Sequence, residues 1–466
     1  MADKAPNDRL ARLMEQAGFT SHKAFARAVM EESRLAGEPL TRCDHTYVSR
    51  WLAGMKPRGK APVFIAAALS RRLGRSVSVA EIGMATAPNM IPADLGMTYS
   101  APASSNAEDL THLWQADLEN ATLVIKGKVD PEAWNRASLQ WLVSPESPRI
   151  DRPASGPRIG LPDVERFRAT VDMFAQLDNR FGGGHARQSL IQYLATDGER
   201  MLRGQYTDAV RRALFSAVAE ATLLAAWMSY DSALHGLAQR YFIQALRLAQ
   251  AGDDRLLAAS ILDAMSHQAT FVGRFSDAAN LARAARSGTQ GLATPTLTAH
   301  FYAMEARALA RLGDARACDL ALSSAVREFE RRNVDDDPEW IRYFDDAELS
   351  AEFGHCFRDL GRPVDASVYA NQCLGTIDDG VYARSDFFAT MVLADAYLGA
   401  GELEQAGKVA LRALTLGEQL RSARCVSYLR EFNQRLTNIG KSAELSNFYE
   451  QAASSRLWRI ASSRSA

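Results

Sequence analysis

Five glycine-led turns constrain this chain more than any other feature. They are Gly273-Arg274, Gly313-Asp314, Gly361-Arg362, Gly401-Glu402 and Gly440-Lys441, spaced by 40, 48, 40 and 39 residues. Each of the first four follows a long stretch with apolar residues at helical spacing and precedes one with closely spaced alanines. After Gly273 these are Ala278 and Ala282, after Gly361 Ala366 and Ala370, and after Gly401 Ala406 and Ala410. Each pair is four residues apart at the same offset from its glycine, which places it on one face of a helix. Small side chains there let a partner helix approach closely. A repeated unit of this kind cannot bury its face alone and stacks on its neighbours. A plain helical bundle would also accommodate the helices, but the recurring glycine offset favours a solenoid from about residue 163 onward. A further pair is expected upstream, where Arg211–Tyr230 is followed by Leu234–Ala251.

Proline divides what precedes the array. Nine of the sixteen prolines lie between residues 88 and 162, and three lie after that. The Pro/Ala/Ser-rich stretch 85–109 reads as a flexible linker, and 144–162, with five prolines, as a second one. Between them, 110–143 carries Trp114, Trp134 and Trp141, three of the chain's seven tryptophans. So small a segment cannot hold its own core, so these rings are expected to dock it onto a larger neighbour.

The first 84 residues read as a separate domain. Leu10, Leu13, Met14 and Ala17 form one helical face that ends at Gly18. Ser21 can cap a second helix through Phe25, Ala26, Val29 and Met30. Asp44 is a suitable N-cap for a third helix, in which Val48, Trp51 and Leu52 repeat at helical spacing until Gly54. A fourth runs from Val63 to Leu73. With Val48 and Trp51 buried, His45, Thr46, Tyr47 and Arg50 project together near the N-terminal end of the third helix. That arrangement suits a helix in a DNA major groove. Lys56, Arg58 and Lys60 follow within reach of phosphates. Residues 1–75 hold 14 Lys/Arg and 7 Asp/Glu, a net of +7, while the whole chain is −1, so the remaining 391 residues sum to −8. A basic head on an acidic body is the asymmetry expected when one domain alone meets a polyanion. Between Val29 and Val48 lie roughly ten more residues than a compact helix-turn-helix uses. Either the second helix extends through Glu31–Leu35 or a loop bulges there.

Val48-Ser49-Arg50-Trp51-Leu52-Ala53-Gly54, with the basic loop and the helix ending Leu73-Gly74, resembles the phage-repressor-type helix-turn-helix. Combined with the long Ala-rich C-terminal region and Phe181-Gly182-Gly183-Gly184-His185-Ala186-Arg187, the chain resembles actinobacterial transcriptional regulators carrying TPR-like repeats. The resemblance spans nearly the full length, although the spacings exceed the TPR norm of about 34 residues. It implies an all-α protein with an N-terminal helix-turn-helix domain, a flexible linker and a C-terminal TPR-like α-solenoid over 163–466. It implies base-edge contacts from His45, Thr46, Tyr47 and Arg50, with Ser49 near the backbone and Trp51 in the core. Ser21 and Lys23, at the start of the preceding helix, complete the expected DNA-contact set.

No catalytic grouping stands out, and neither a cofactor nor a metal site is expected. Gly182-Gly183-Gly184 is no P-loop, since no Lys-Ser/Thr follows. It reads as an inter-helix turn, or as an anion site in which Gly183, Gly184, His185 and Arg187 hold a negative group. His267 and His300 fall on helices, as core or groove residues. The five cysteines are scattered and odd in number, as in a reducing compartment. No run of 18 apolar residues occurs, and MADKAPNDRL lacks an apolar leader, so a cytoplasmic, nucleoid-associated location is expected. The expected partners are double-stranded DNA, a second copy bound through the array, and a peptide, protein or small-molecule effector in the repeat groove. The alternative is a TPR-like interaction scaffold without specific DNA binding.

Overall fold

The computed structural model describes residues 6–35, 42–55, 57, 61–73, 77, 79, 81–84, 94–99, 103–143, 156–375, 382–440 and 442–463. Lys56, Arg58 and Lys60 lie outside these residues. The described residues are all-α; no strand occurs among them, and Arg158 and Gln205 form an isolated bridge. The chain divides into two compact units, Met1–Pro92 and Ala93–Ala466.

In the first unit, helices α1 (Asp8–Gln16), α2 (His22–Leu35), α3 (His45–Leu52) and α4 (Ala61–Leu73) enclose one core. Asn7 starts α1 by accepting the Leu10 N–H at 3.1 Å, and Gly18 stops it in the left-handed region, φ 69°. Ser21 Oγ accepts the Ala24 N–H at the head of α2. Leu10, Phe25, Val29, Val48, Ile65, Leu69 and Ile82 are fully buried together, with Trp51 at 4% exposure. Each large side chain in that set contributes about 1.5–3 kcal/mol by leaving water. Packing of α2 on both α3 and α4, with α1 against α3 and α4, holds α3 in place from several sides. The extra residues before α3 are partly spent in α2, which continues to Leu35; residues 36–41 lie outside the described set.

The second unit begins with residues 94–99 and helices α5 (Ala103–Leu118), α6 (Thr122–Ile125) and α7 (Pro131–Val143). Then come α8 (Leu161–Phe181) and, joined through a π-turn at Leu194–Gly198, α9 (Arg187–Tyr193) and α10 (Glu199–Leu202). Helical hairpins follow: α11 (Asp208–Asp231) with α12 (His235–Ala251), α13 (Arg255–Phe271) with α14 (Phe275–Gly288), and α15 (Pro295–Leu312) with α16 (Ala315–Phe329). The next pair α17 (Asp346–Asp359) with α18 (Pro363–Leu374), and α19 (Ala383–Gly399) with α20 (Leu403–Gly417). Helices α21 (Ala423–Ile439), α22 (Ser446–Ala452) and α23 (Arg456–Ser462) complete it.

The turn glycines sit where the hairpins reverse. Gly273, Gly313, Gly361 and Gly401 have φ between 69° and 82°, a conformation in which a Cβ is strained. The alanines after them, 278/282, 366/370 and 406/410, are at most 1% exposed. The series also extends upstream without glycine. Ala233, 40 residues before Gly273, turns α11 into α12 at φ 61°. The alternate helices α11, α13, α15, α17, α19 and α21 each pack on the next in that row. Helix α8 packs on both α11 and α19, which closes the row around an interior cavity. Among the described residues α11 is the helix long and apolar enough to cross a membrane, and 72% of that window is buried inside the unit.

Two stretches expected as linkers are in part bound to this body. Within 85–109, Gln244 of α12 donates to the Gly96 carbonyl at 2.9 Å and Arg247 to that of Thr98 at 3.1 Å, with Arg240 bonded to Leu95. Residues 103–109 already belong to α5, while 85–93 lie outside the described residues. Within 144–162, Ile159 N–H donates to Gln205 and Gln205 N–H to Pro157, and α8 begins at Leu161. Proline spacing signals a break in helix, but donors 145 to 149 residues away for the first stretch, and the Gln205 backbone for the second, decide whether that break is free or fastened. Trp114, Trp134 and Trp141 are all fully buried where α5 and α7 meet α12 and α14. Trp141 fits so closely against Gly288 that a Cβ there would lie 2.2 Å from its ring.

Candidate functional site

Helix α3 owes its position to its two ends. Asp44 Oδ1 accepts the N–H groups of Thr46 at 2.8 Å and Tyr47 at 3.3 Å. At the other end the Leu52 carbonyl accepts the Asn7 N–H at 2.8 Å. Val48 and Trp51 face the core, which leaves His45, Thr46, Ser49 and Arg50 exposed and Tyr47 half-buried. Arg50 lies 5.9 Å from the centre of the Tyr47 ring, and Tyr47 in turn leans on Trp51. Ser49 Oγ is 3.0 Å from His22 Nδ1, the first residue of α2. That contact gathers most of the predicted set, because Ser21 and Lys23 flank His22 and are also exposed. His22 itself carried no assignment in the sequence; only the crossing of α2 over α3 makes it a neighbour of Ser49.

The second predicted site does not have the capacity expected of it. The Gly183 N–H donates to Asp231 at 2.8 Å and the Gly184 N–H to the Arg421 carbonyl at 2.9 Å. Arg187 is engaged by Asp117, with its Nη1 at 2.6 and 2.9 Å from the two carboxylate oxygens, and both side chains are buried. Tyr241 also donates to Asp117. The His185 ring lies tilted against that of Phe181, with centroids 4.8 Å apart. The donors that would have met an anion are committed inside the body. The glycines are there because the backbone of residues 228 and 421 comes too close for a Cβ: one at Gly183 would lie 2.7 Å from the Met228 carbonyl oxygen.

A third location is more strongly built for a ligand. The interior cavity, about 340 Å³, is lined from α8, α11, α13, α15, α17, α19 and α21. Its polar residues recur at helical spacing on otherwise apolar helices: Asp263 and His267, His300 and Arg307, Glu348, Glu352 and His355. His300 Nδ1 lies 2.5 Å from Asp263, and its Nε2 lies 3.3 Å from Tyr343 Oη. Burial alone would lower the His300 pKa, but the Asp263 carboxylate raises it above the usual imidazole value. Burial takes His267 and His355 well below that value, helped by nearby arginines, so both are neutral. Burial, with Glu352 and Asp345 adding repulsion, pushes the Glu348 carboxyl up to about 7.

Three arginines reach this space. Arg307 pairs with Glu352 at 2.5 Å and Arg384 with Asp178 at 2.6 Å. Arg424 is only 8% exposed and is held between aromatic rings, 4.4 Å from Phe388 and 4.7 Å from Tyr230. Sequence reasoning placed His267 and His300 on helices without assigning either a task, and passed over the rest. Two signals pointed here. One is the polar residues at i, i+4 and i+7 on alanine-rich helices. The other is the single 48-residue spacing, whose additional residues carry Tyr343 to the cavity wall.

Residues 10–85 match the family model described as the SP15 N-terminal domain. That match covers the four-helix unit and none of the body. No curated protein matches the chain.

Proposed function

We propose that the chain is a sequence-specific DNA-binding transcriptional regulator, with a helix-turn-helix head formed by α2 and α3 and a TPR-like body that senses an effector and dimerises. The exposed face of α3 carries this reading. His45, Thr46, Ser49 and Arg50 share it, the half-buried Tyr47 borders it, and the His22–Ser49 contact sets the start of α2 beside it. Recognition helices present such residues to base edges, while the start of the preceding helix meets phosphate. The +7 charge of residues 1–75 supplies the long-range attraction. The body's row of hairpins, with small residues at its buried seams, supports the TPR-like reading.

Retention of the full-length chain on double-stranded DNA, titrated with salt, tests this. The expected result is an affinity that falls steeply with salt and is higher on selected than on random fragments. A chain that leaves DNA unbound at low salt would be a protein-interaction scaffold instead. Light scattering on the same sample is expected to give a dimer at micromolar concentration.

A further inference from the structure

We propose that the interior cavity of the body binds a small zwitterion of the amino-acid or dipeptide class, its carboxylate at Arg424 and its ammonium group at Glu348. The inference rests on reading the body as the sensing half of the chain and assigns the chemistry of what it senses.

Burying an ion without a partner is expensive, and such ions in interiors are normally paired or hydrogen bonded. The body follows that rule at Arg307–Glu352, Arg384–Asp178 and Arg187–Asp117. Arg424 does not follow it. Its Nε has no hydrogen-bond partner, and no carboxylate among the described residues pairs with it. Its guanidinium lies against the rings of Tyr230, Phe271 and Phe388, which hold it in place, while the Asp178 carboxylate that it also attracts is already paired with Arg384. A planar cation held rigidly at a cavity wall is suited to a carboxylate, which it can grip through two parallel hydrogen bonds.

The acidic side of the same cavity is the complement. Glu348 has no ion pair among the described residues, and it lies near the carboxylate of Glu352 and the His300–Asp263 pair. An ammonium group arriving there would relieve the repulsion that raises the proton affinity of Glu348. A simple anion would satisfy Arg424 and leave the acidic group as it is. A simple amine would do the reverse. Only a ligand with both charges meets both, and Trp227, Met304 and Phe388 offer its body an apolar wall. At about 340 Å³ the space admits one amino acid or a short peptide.

The test is thermal unfolding and calorimetric titration of the full-length chain, without DNA, against the common L-amino acids and a set of apolar dipeptides at millimolar concentration. A head that fails to bind DNA does not affect this measurement, so the two readings fail separately. The expected result is a ligand that raises the melting temperature, whose des-amino and decarboxylated analogues each bind about tenfold or more weakly. Glu348→Gln, which removes a charge with no partner to lose, is expected to weaken the zwitterion by a similar factor and leave the des-amino analogue unaffected. Arg424→Gln is expected to remove the preference for a carboxylate. Should Arg424→Gln not fold, the decarboxylated analogue makes the same subtraction on the unmodified chain. Three outcomes overturn the inference: no member of the panel binds, a binder keeps its affinity in Glu348→Gln, or the des-amino analogue matches its parent.

Discussion

The face of α3 and the wall of the body cavity both carry arginine, histidine and tyrosine, yet they stand in opposite relation to stability. On α3 the polar groups are exposed, so water satisfies them whether or not a partner is bound. Removing one is expected to leave folding alone and, under the proposed function, to change recognition. In the body cavity Tyr343 and Tyr382 keep one edge in water, but Arg307, Arg424 and His355 are buried, so each of these is either paired or a burden on the folded state. The difference lies in solvent, not in residue type. It also separates two arginines that the sequence offers as ligand contacts, Arg50 for a base edge and Arg187 for an anion: Arg50 is exposed on α3, whereas Arg187 is buried against Asp117.

The largest effect expected from this contrast is at Arg187. Arg187→Met leaves the Asp117 carboxylate buried with Tyr241 as its remaining donor, at a cost of about 3–5 kcal/mol to the body. Calorimetry would show a large drop in the unfolding temperature. A variant as stable as the parent, with weaker phosphate binding, would return Arg187 to the role of an anion contact. Next comes Arg50→Ala, which should leave stability within about 0.5 kcal/mol but cost about 1–3 kcal/mol on a preferred DNA site, with relaxed specificity there. Equal loss on specific and random DNA would show that Arg50 meets phosphate rather than a base.

A smaller effect follows from pH. The Glu348 carboxyl titrates near 7 in the folded body, against 4.5 ordinarily. The folded state therefore holds an extra proton between these values, and stability falls as pH rises from about 4.5 through 7. With some screening by cavity water, the loss is on the order of 1–2 kcal/mol. Glu348→Gln should flatten that part of the profile, and parallel pH profiles for the two proteins would contradict the assignment. The smallest change expected is a gain. Ala233 occupies the left-handed region at an exposed turn, so Ala233→Gly should stabilise the body by about 0.5–1 kcal/mol in denaturant unfolding.

What the sequence determined by itself was local and periodic. Gly273, Gly313, Gly361 and Gly401 mark the hairpin reversals because a left-handed turn residue is written in the residue itself. After Gly273, Gly361 and Gly401 the alanines five and nine positions later mark the packed faces because helical spacing is a short-range property. Asp44, Val48 and Trp51 define α3 and its exposed face for the same reason. The tertiary structure alone decided which charges find partners. Arg187 meets Asp117 across 70 residues, Gly183 meets Asp231 across 48, and Arg384 meets Asp178 across 206. It also decided that residues 94–99 lie fastened to α12 and that α8 closes the row of hairpins onto α19. No periodicity reports such contacts, because the free energy of a buried charge depends on whatever the fold brings beside it and not on its neighbours in the chain.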